Sequence, residues 1–166
     1  MQENLDAQLC NAYPKMFVNR HASEMETCMC WGFACGDGWF NIIDQLCSNI
    51  QHHIDWSVKN NQWDLERGEE KIRPVVEQVV VQQVKEKFGT LRFYYDGGDA
   101  YIHGLVAMAE SLTAVTCETC GNPGERSGKG WIKTTCKPCD EKRIKARQLE
   151  DEAYEQKKLL KEGFEE

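Results

Sequence analysis

The sequence has no long hydrophobic run. Leu105–Ala109 and Val79–Val81 are among its longest, far short of the roughly 18–20 apolar residues that a membrane-spanning helix needs. No transmembrane helix is expected. The first ten residues, MQENLDAQLC, carry neither a basic stretch nor an apolar one, so no signal peptide is expected either. A Walker loop, a GxSxG elbow and an HExxH helix are all missing, which removes the familiar NTPase and hydrolase signatures. No internal repeat appears, and no low-complexity tract outside the charged C-terminal segment.

What is present is a chain of 166 residues, 41% apolar, with six Phe, five Tyr and five Trp. That composition argues against wholesale disorder. Domains commonly run to about 100–150 residues, so the length suits one domain or one domain with an appendage, and needs no disulfides to fold. Nine cysteines without a secretory signal point to a reducing, cytoplasmic setting in which thiols bind metal, react or pack.

The formal net charge of −7 is unevenly spread. Residues 1–116 hold nine basic and sixteen acidic groups, residues 117–149 eight basic and four acidic, and residues 150–166 three basic and seven acidic. A basic segment between acidic ones suits contact with nucleic acid or an acidic partner, or is simply a solvated surface. A zinc ion held by four thiolates would add a formal −2 to the basic segment. The acidity of the whole then favours a protein partner.

Hydrophobic spacing supplies the elements. Asn4–Phe17 reads as a short helix interrupted near Pro14, and residues 18–38 as irregular. From Trp39 to Trp56, Ile42, Ile43, Leu46, Ile50 and Ile54 recur every three or four residues, the stripe of an amphipathic helix. The polar stretch 57–73 ends at Pro74 and reads as a loop anchored by Trp63. Val75–Phe88 and Leu91–Tyr95 flank Gly89-Thr90 with dense β-branched and aromatic residues, the pattern of a β-hairpin. Asp99 is placed to cap a helix over 100–112 with Ile102, Leu105, Val106, Ala109 and Leu112 on its apolar face.

The strongest motif is a pair of CxxC turns, Cys117-Glu-Thr-Cys120 and Cys136-Lys-Pro-Cys139, fifteen residues apart. Each turn presents two sulfurs on one side of a tight loop, and two such turns complete a tetrahedral thiolate shell for one structural Zn²⁺. Gly121, Pro123, Gly124, Gly128 and Gly130 supply turns between them, and Trp131–Thr135 reads as a strand. Four protein thiolates leave no open coordination position, so the ion is expected to hold structure rather than react. Asp140 is placed to cap a helix running to about residue 162, with sparse apolar positions (Ile144, Leu149, Ala153, Tyr154, Leu159, Leu160). That helix is either a solvated extension or half of an oligomer contact.

Other constellations compete with plainer readings. Cys28, Cys30, Cys35 and Cys47 with His52 and His53 match no ligand template, so core packing is the expectation. Asp99 and His103 stand four apart as an acid–base pair or as a cap beside an exposed histidine. An enzyme built on the N-terminal Cys, His and Asp residues is the least supported reading. Lys85, Lys87 and Arg92 lie among Phe93, Tyr94 and Tyr95. Basic donors beside aromatic faces can hold a phosphate and stack a base; the plainer reading is a hairpin with its aromatics in the core. Lys85, Lys87, Arg92, Tyr94 and Tyr95 are the candidate ligand-binding set.

CGDGWF (35–40), KEKFGTLRFYYDGGD (85–99) and CETCGNPG…GWIKTTC (117–136) together resemble segments of small zinc-ribbon-containing proteins of bacteria and of phages and prophages. The resemblance covers about residues 30–139. It implies a mobile-element origin and a cytosolic setting in the host, and no activity. The expected architecture is α+β: a small hairpin or sheet packed with two helices over 1–116, a zinc ribbon over 117–139, and a charged helical tail over 140–166. The expected function is non-enzymatic, engaging and inhibiting a host protein such as a defence factor. Nucleic-acid or nucleotide binding through Lys85–Tyr95 or the basic 117–149 region is the alternative.

Overall fold

The hydrophobic stripe beginning at Trp39 forms the backbone of the fold. The computed structural model describes residues 1–128 and 130–162, with side chains as far as residue 157. In chain order the elements are α1 (Glu3–Ala12), β1 (Phe33–Ala34), α2 (Phe40–Arg67), β2 (Val80–Lys87), β3 (Thr90–Asp96), α3 (Ala100–Thr113), β4 (Glu125–Ser127), β5 (Lys133–Thr135) and α4 (Lys137–Glu162). The class is α+β. Short 3₁₀ turns at Cys28–Trp31 and Asp37–Trp39 lead into β1 and α2.

Two sheets share the chain. One is three-stranded in the order β1-β2-β3, the other the two-stranded β4-β5 ribbon. β2 and β3 are antiparallel, with Val84 opposite Phe93 and Glu86 opposite Leu91, while β1 runs parallel to β2 through Phe33 and Ala34. One sheet face, α2 and α3 enclose a core in which Trp39, Ile43, Ile50, Val84, Leu91 and Ile102 are wholly buried. Each such side chain contributes about 1.5–3 kcal/mol. Asp6 accepts from Arg20 Nε at 2.9 Å and from the Phe33 N–H at 3.3 Å, which ties the irregular 18–32 segment to α1.

Several expectations are corrected. α2 does not stop at Trp56 but continues to Arg67, where Gly68 takes the left-handed conformation and ends it. Residues 57–67 contain neither glycine nor proline, so nothing breaks the helix, and its polarity reflects a solvated side rather than a loop. The returning chain is held to it by the Val76 N–H on Ser57 Oγ (2.9 Å) and by Arg73 on Asp64. Trp63 is no buried anchor: it is 43% exposed, edge-on to Trp56. The strand expected from Val75 begins at Val80. The hairpin turn is Phe88-Gly89, with φ of 53° and 76°, the positive pair of a type I′ turn.

Asp99 does cap α3, accepting the Ile102 N–H at 3.0 Å. Leu112, assigned above to the apolar face of α3, is 47% exposed, whereas Thr113 is wholly buried. The Thr113 hydroxyl accepts the Leu91 N–H at 2.9 Å, and Glu110 accepts the Phe93 N–H at 3.1 Å. α3 thus closes the otherwise unpaired edge of β3, which satisfies donors that would invite another strand. α4 starts at Lys137, so Asp140 sits inside its first turn and binds Arg143 rather than capping it. Every side chain from residue 141 to 157 is exposed. Leu159 and Leu160 lie outside the described side chains, and the tail beyond Glu162 outside the described residues.

Candidate metal centre

The first CxxC turn is a tight loop closed on itself. The Gly121 N–H donates to Cys117 O at 2.9 Å and the Cys117 N–H to Asn122 O at 2.7 Å. The second begins α4: Cys136 immediately precedes the helix and Cys139 lies in its first turn. The Cys139 N–H at the start of the helix is directed at the Cys136 sulfur and opposes the rise that its sulfur neighbours impose on that thiol. β4 and β5 bring the turns together through Glu125–Thr135, Arg126–Thr134 and Ser127–Lys133 pairs.

The four sulfurs of Cys117, Cys120, Cys136 and Cys139 all lie within 4.8 Å of one another, and Cys120 and Cys136 are 3.6 Å apart. A tetrahedral thiolate shell with bonds of about 2.3 Å has edges of about 3.8 Å. The cluster therefore fits a single metal ion. Burial opposes ionisation of Cys117, but N–H groups of Cys136, Cys120 and Thr119 outweigh it and draw the thiol down to about 7. Cys139 is pushed up to about 12, chiefly by its hydrogen bond with Cys136. Without a cation the neighbouring sulfurs share protons; a divalent ion at their centre replaces those protons.

The knuckle is joined to the sheet and helix body by a contact that sequence reasoning did not find. Gly36 donates to the Glu118 carboxylate at 3.0 Å, Gly38 donates to Glu118 O at 2.8 Å, and the Trp39 indole donates to Thr116 O at 2.9 Å. A Cβ on Gly38 would stand 2.2 Å from Cys117 O and 2.4 Å from the Gly121 nitrogen. CGDGW is thus the seat of the metal knuckle. The signal was two glycines beside a core Trp, but what they approach lies some eighty residues away in sequence (Gly36 and Glu118 are separated by 82). On the far side, Thr134 Oγ1 donates to Gly89 O at 2.5 Å and Arg126 to Phe88 O at 2.8 Å, which fastens the ribbon to the hairpin turn.

No family model, curated protein or solved structure matches the chain.

The candidate ligand-binding set divides between the two faces of the sheet. Lys85 is paired with Arg92 and Gln83 with Tyr94, so alternation puts Lys85, Lys87, Arg92 and Tyr94 on the face away from the core. Exposed Ala34 of β1 joins them through its pairing with Lys85. Lys85 Nζ lies 5.3 Å from the Tyr94 ring centre, within cation–π range. Arg92 is 3.7 Å from Glu110. Tyr95 falls on the opposite face, half-buried against Phe93 with ring centres 6.0 Å apart.

The N-terminal cysteines do not converge. Among the described residues, the tetrad alone groups three or more metal-ligating side chains. Of the four expected to pack, Cys35 and Cys47 do, and burial pushes Cys35 up to about 12 and Cys47 well above its ordinary value; Cys28 is instead exposed and Cys30 half-buried, because both lie on the short 3₁₀ turn at the surface. The Asp99–His103 pair is not formed by side chains. Asp99 instead meets His53 Nε2 at 2.9 Å. Burial raises the Asp99 carboxyl, while the His53 and Ile102 hydrogen bonds pull it below its usual range. No helix among the described residues is long and apolar enough to cross a membrane.

Proposed function

We propose that the chain is a zinc-stapled binding protein, not an enzyme, and that its working surface is the open face of the three-stranded sheet, which takes a nucleic-acid strand or nucleotide. The observation that carries this reading is the gathering of Lys85, Lys87 and Tyr94 on the sheet face away from the core, with half-buried Arg92 beside them held by Thr90 and Glu110. Cations supply phosphate contacts and an aromatic face supplies stacking. Zinc is the metal that four thiolates at this spacing select, and with all four positions taken by protein it has a structural role. The resemblance to proteins of phages and prophages fits either a nucleic-acid or a host-protein partner.

The experiment is fluorescence anisotropy with a fluorescein-labelled dT15 oligonucleotide. Wild-type protein is expected to bind, with affinity falling as salt rises by about 0.7 log unit per log unit for each phosphate neutralised. The double variant Lys85→Glu, Lys87→Glu is expected to weaken binding at least tenfold. Absence of wild-type binding at low salt would overturn the reading.

A second reading, inhibition of a host protein, is favoured by one observation. An apolar groove of about 360 Å³ between α2 and α3 is lined by Ile42, Leu46, Leu105, Met108 and Leu112, with Met108 65% exposed. A partner retained by wild type and lost by Met108→Glu would support that reading, and retention by both would count against it.

A further inference from the structure

Phe88 occupies the first central position of a type I′ turn at φ 53°, a place that favours Asn or Gly and strains a bulky side chain. Burial does not compensate, because the ring is 58% exposed. Side chains held in disfavoured backbone conformations without packing reward are characteristic of working sites. Across a groove of about 240 Å³, lined also by Glu86, Lys87, Gly130 and Ile132, stands Trp131. It is 74% exposed on the ribbon that Thr134 and Arg126 fasten to this same turn.

We propose that Phe88 and Trp131 form an aromatic clamp for an unpaired base of single-stranded nucleic acid, extending the sheet-face platform to the tip of the hairpin. The proposal rests on the nucleic-acid reading above and adds the residues that select an unpaired strand. Two exposed aromatic residues line one groove, and the cations beside it, Lys87 with its ammonium 5.6 Å from the Phe88 ring centre and Arg126 on the Phe88 carbonyl, are suited to phosphate. Glu86 is turned to internal use, its carboxylate accepting the Gly89 N–H at 2.7 Å. Paired bases in a duplex cannot enter between the rings, whereas a single strand presents its π-faces.

The test compares Trp131→Ala and Phe88→Asn with wild type on labelled dT15, on the corresponding duplex and on a poly-glutamate peptide. Each variant is expected to weaken dT15 binding about 5- to 150-fold, the range for losing one stacked base. Phe88→Asn should at the same time raise Tm by about 2–4 °C by installing Asn-Gly in the turn, so weaker binding cannot be laid to misfolding. Wild-type protein should favour dT15 over duplex and over the peptide. If wild type binds dT15 and both variants bind it equally well, the clamp is overturned while the sheet-face reading stands. Equal affinity for the peptide, which has no aromatic faces, would overturn stacking and favour an acidic protein partner. If wild type does not bind dT15, the underlying reading falls and the clamp with it.

Discussion

Arg73 reaches back across nine residues to Asp64, donating at 2.6 Å from one guanidinium nitrogen and at 2.8 Å from another. The pair clamps the returning chain to the polar half of α2, and the Arg73 side-chain bonds hold the Asp64 carboxyl down to about 2. A folded-state value below the unfolded one means the stabilisation is present above the ordinary carboxylate range and lost as pH falls through the folded value. Wild type should therefore have a higher Tm than Asp64→Asn at about pH 7, with the gap closing between about pH 4 and pH 2. Thermal melts across that range read it. A gap that persists unchanged into acid would show that the pair is not its source.

At the scale of elements, α3 does two jobs with adjacent residues. Ile102, Val106 and Ala109 face the core, while Thr113 and Glu110 serve the edge of β3. Thr113→Val keeps the shape and removes the acceptor for a buried backbone N–H, which costs about 1–3 kcal/mol. Urea denaturation should show the loss, and a variant within about 0.5 kcal/mol of wild type would mean the edge is satisfied otherwise. The apolar periodicity of α2 and α3 was readable because each buries one stripe against the same sheet. The polar half of α2 was not, because its buried partners, Ser57 and Asp64, hold neighbouring chain through hydrogen bonds rather than apolar contact. β1 escaped for a different reason: two residues paired only to β2 carry no period of their own. Likewise Lys85 and Tyr95 are equally plausible ligands in sequence, and only the register of the hairpin sends them to opposite faces.

In the whole molecule, the four cysteines join parts that are distant in sequence. The first knuckle sits on Gly36 and Gly38, the ribbon on the hairpin turn, and the second knuckle begins α4. CxxC spacing made the ligands legible, but spacing carries no information about what the cluster is built against. The purified chain should carry one zinc per molecule by elemental mass spectrometry. Cys136→Ser should lose it, along with a large part of the roughly 10 kcal/mol that such sites contribute at neutral pH. Because the ribbon is fastened to Phe88 and Gly89, amide protection should fall at the hairpin turn as well as in 117–139. Protection lost only within 117–139 would mean that the ribbon hangs independently.

The helix that leaves the second knuckle is 26 residues long, an arm of about 39 Å. Its side chains from 141 to 157 are exposed, Arg143 folding back onto Asp140 of the first turn, so its direction is set where it starts. A tilt of about 10° at that base carries the far end through about 7 Å. The tetrad sits at the base of this arm. A small adjustment among four sulfurs would become a large sweep of a charged rod, and a label near Tyr154 should report whether metal is bound at its base.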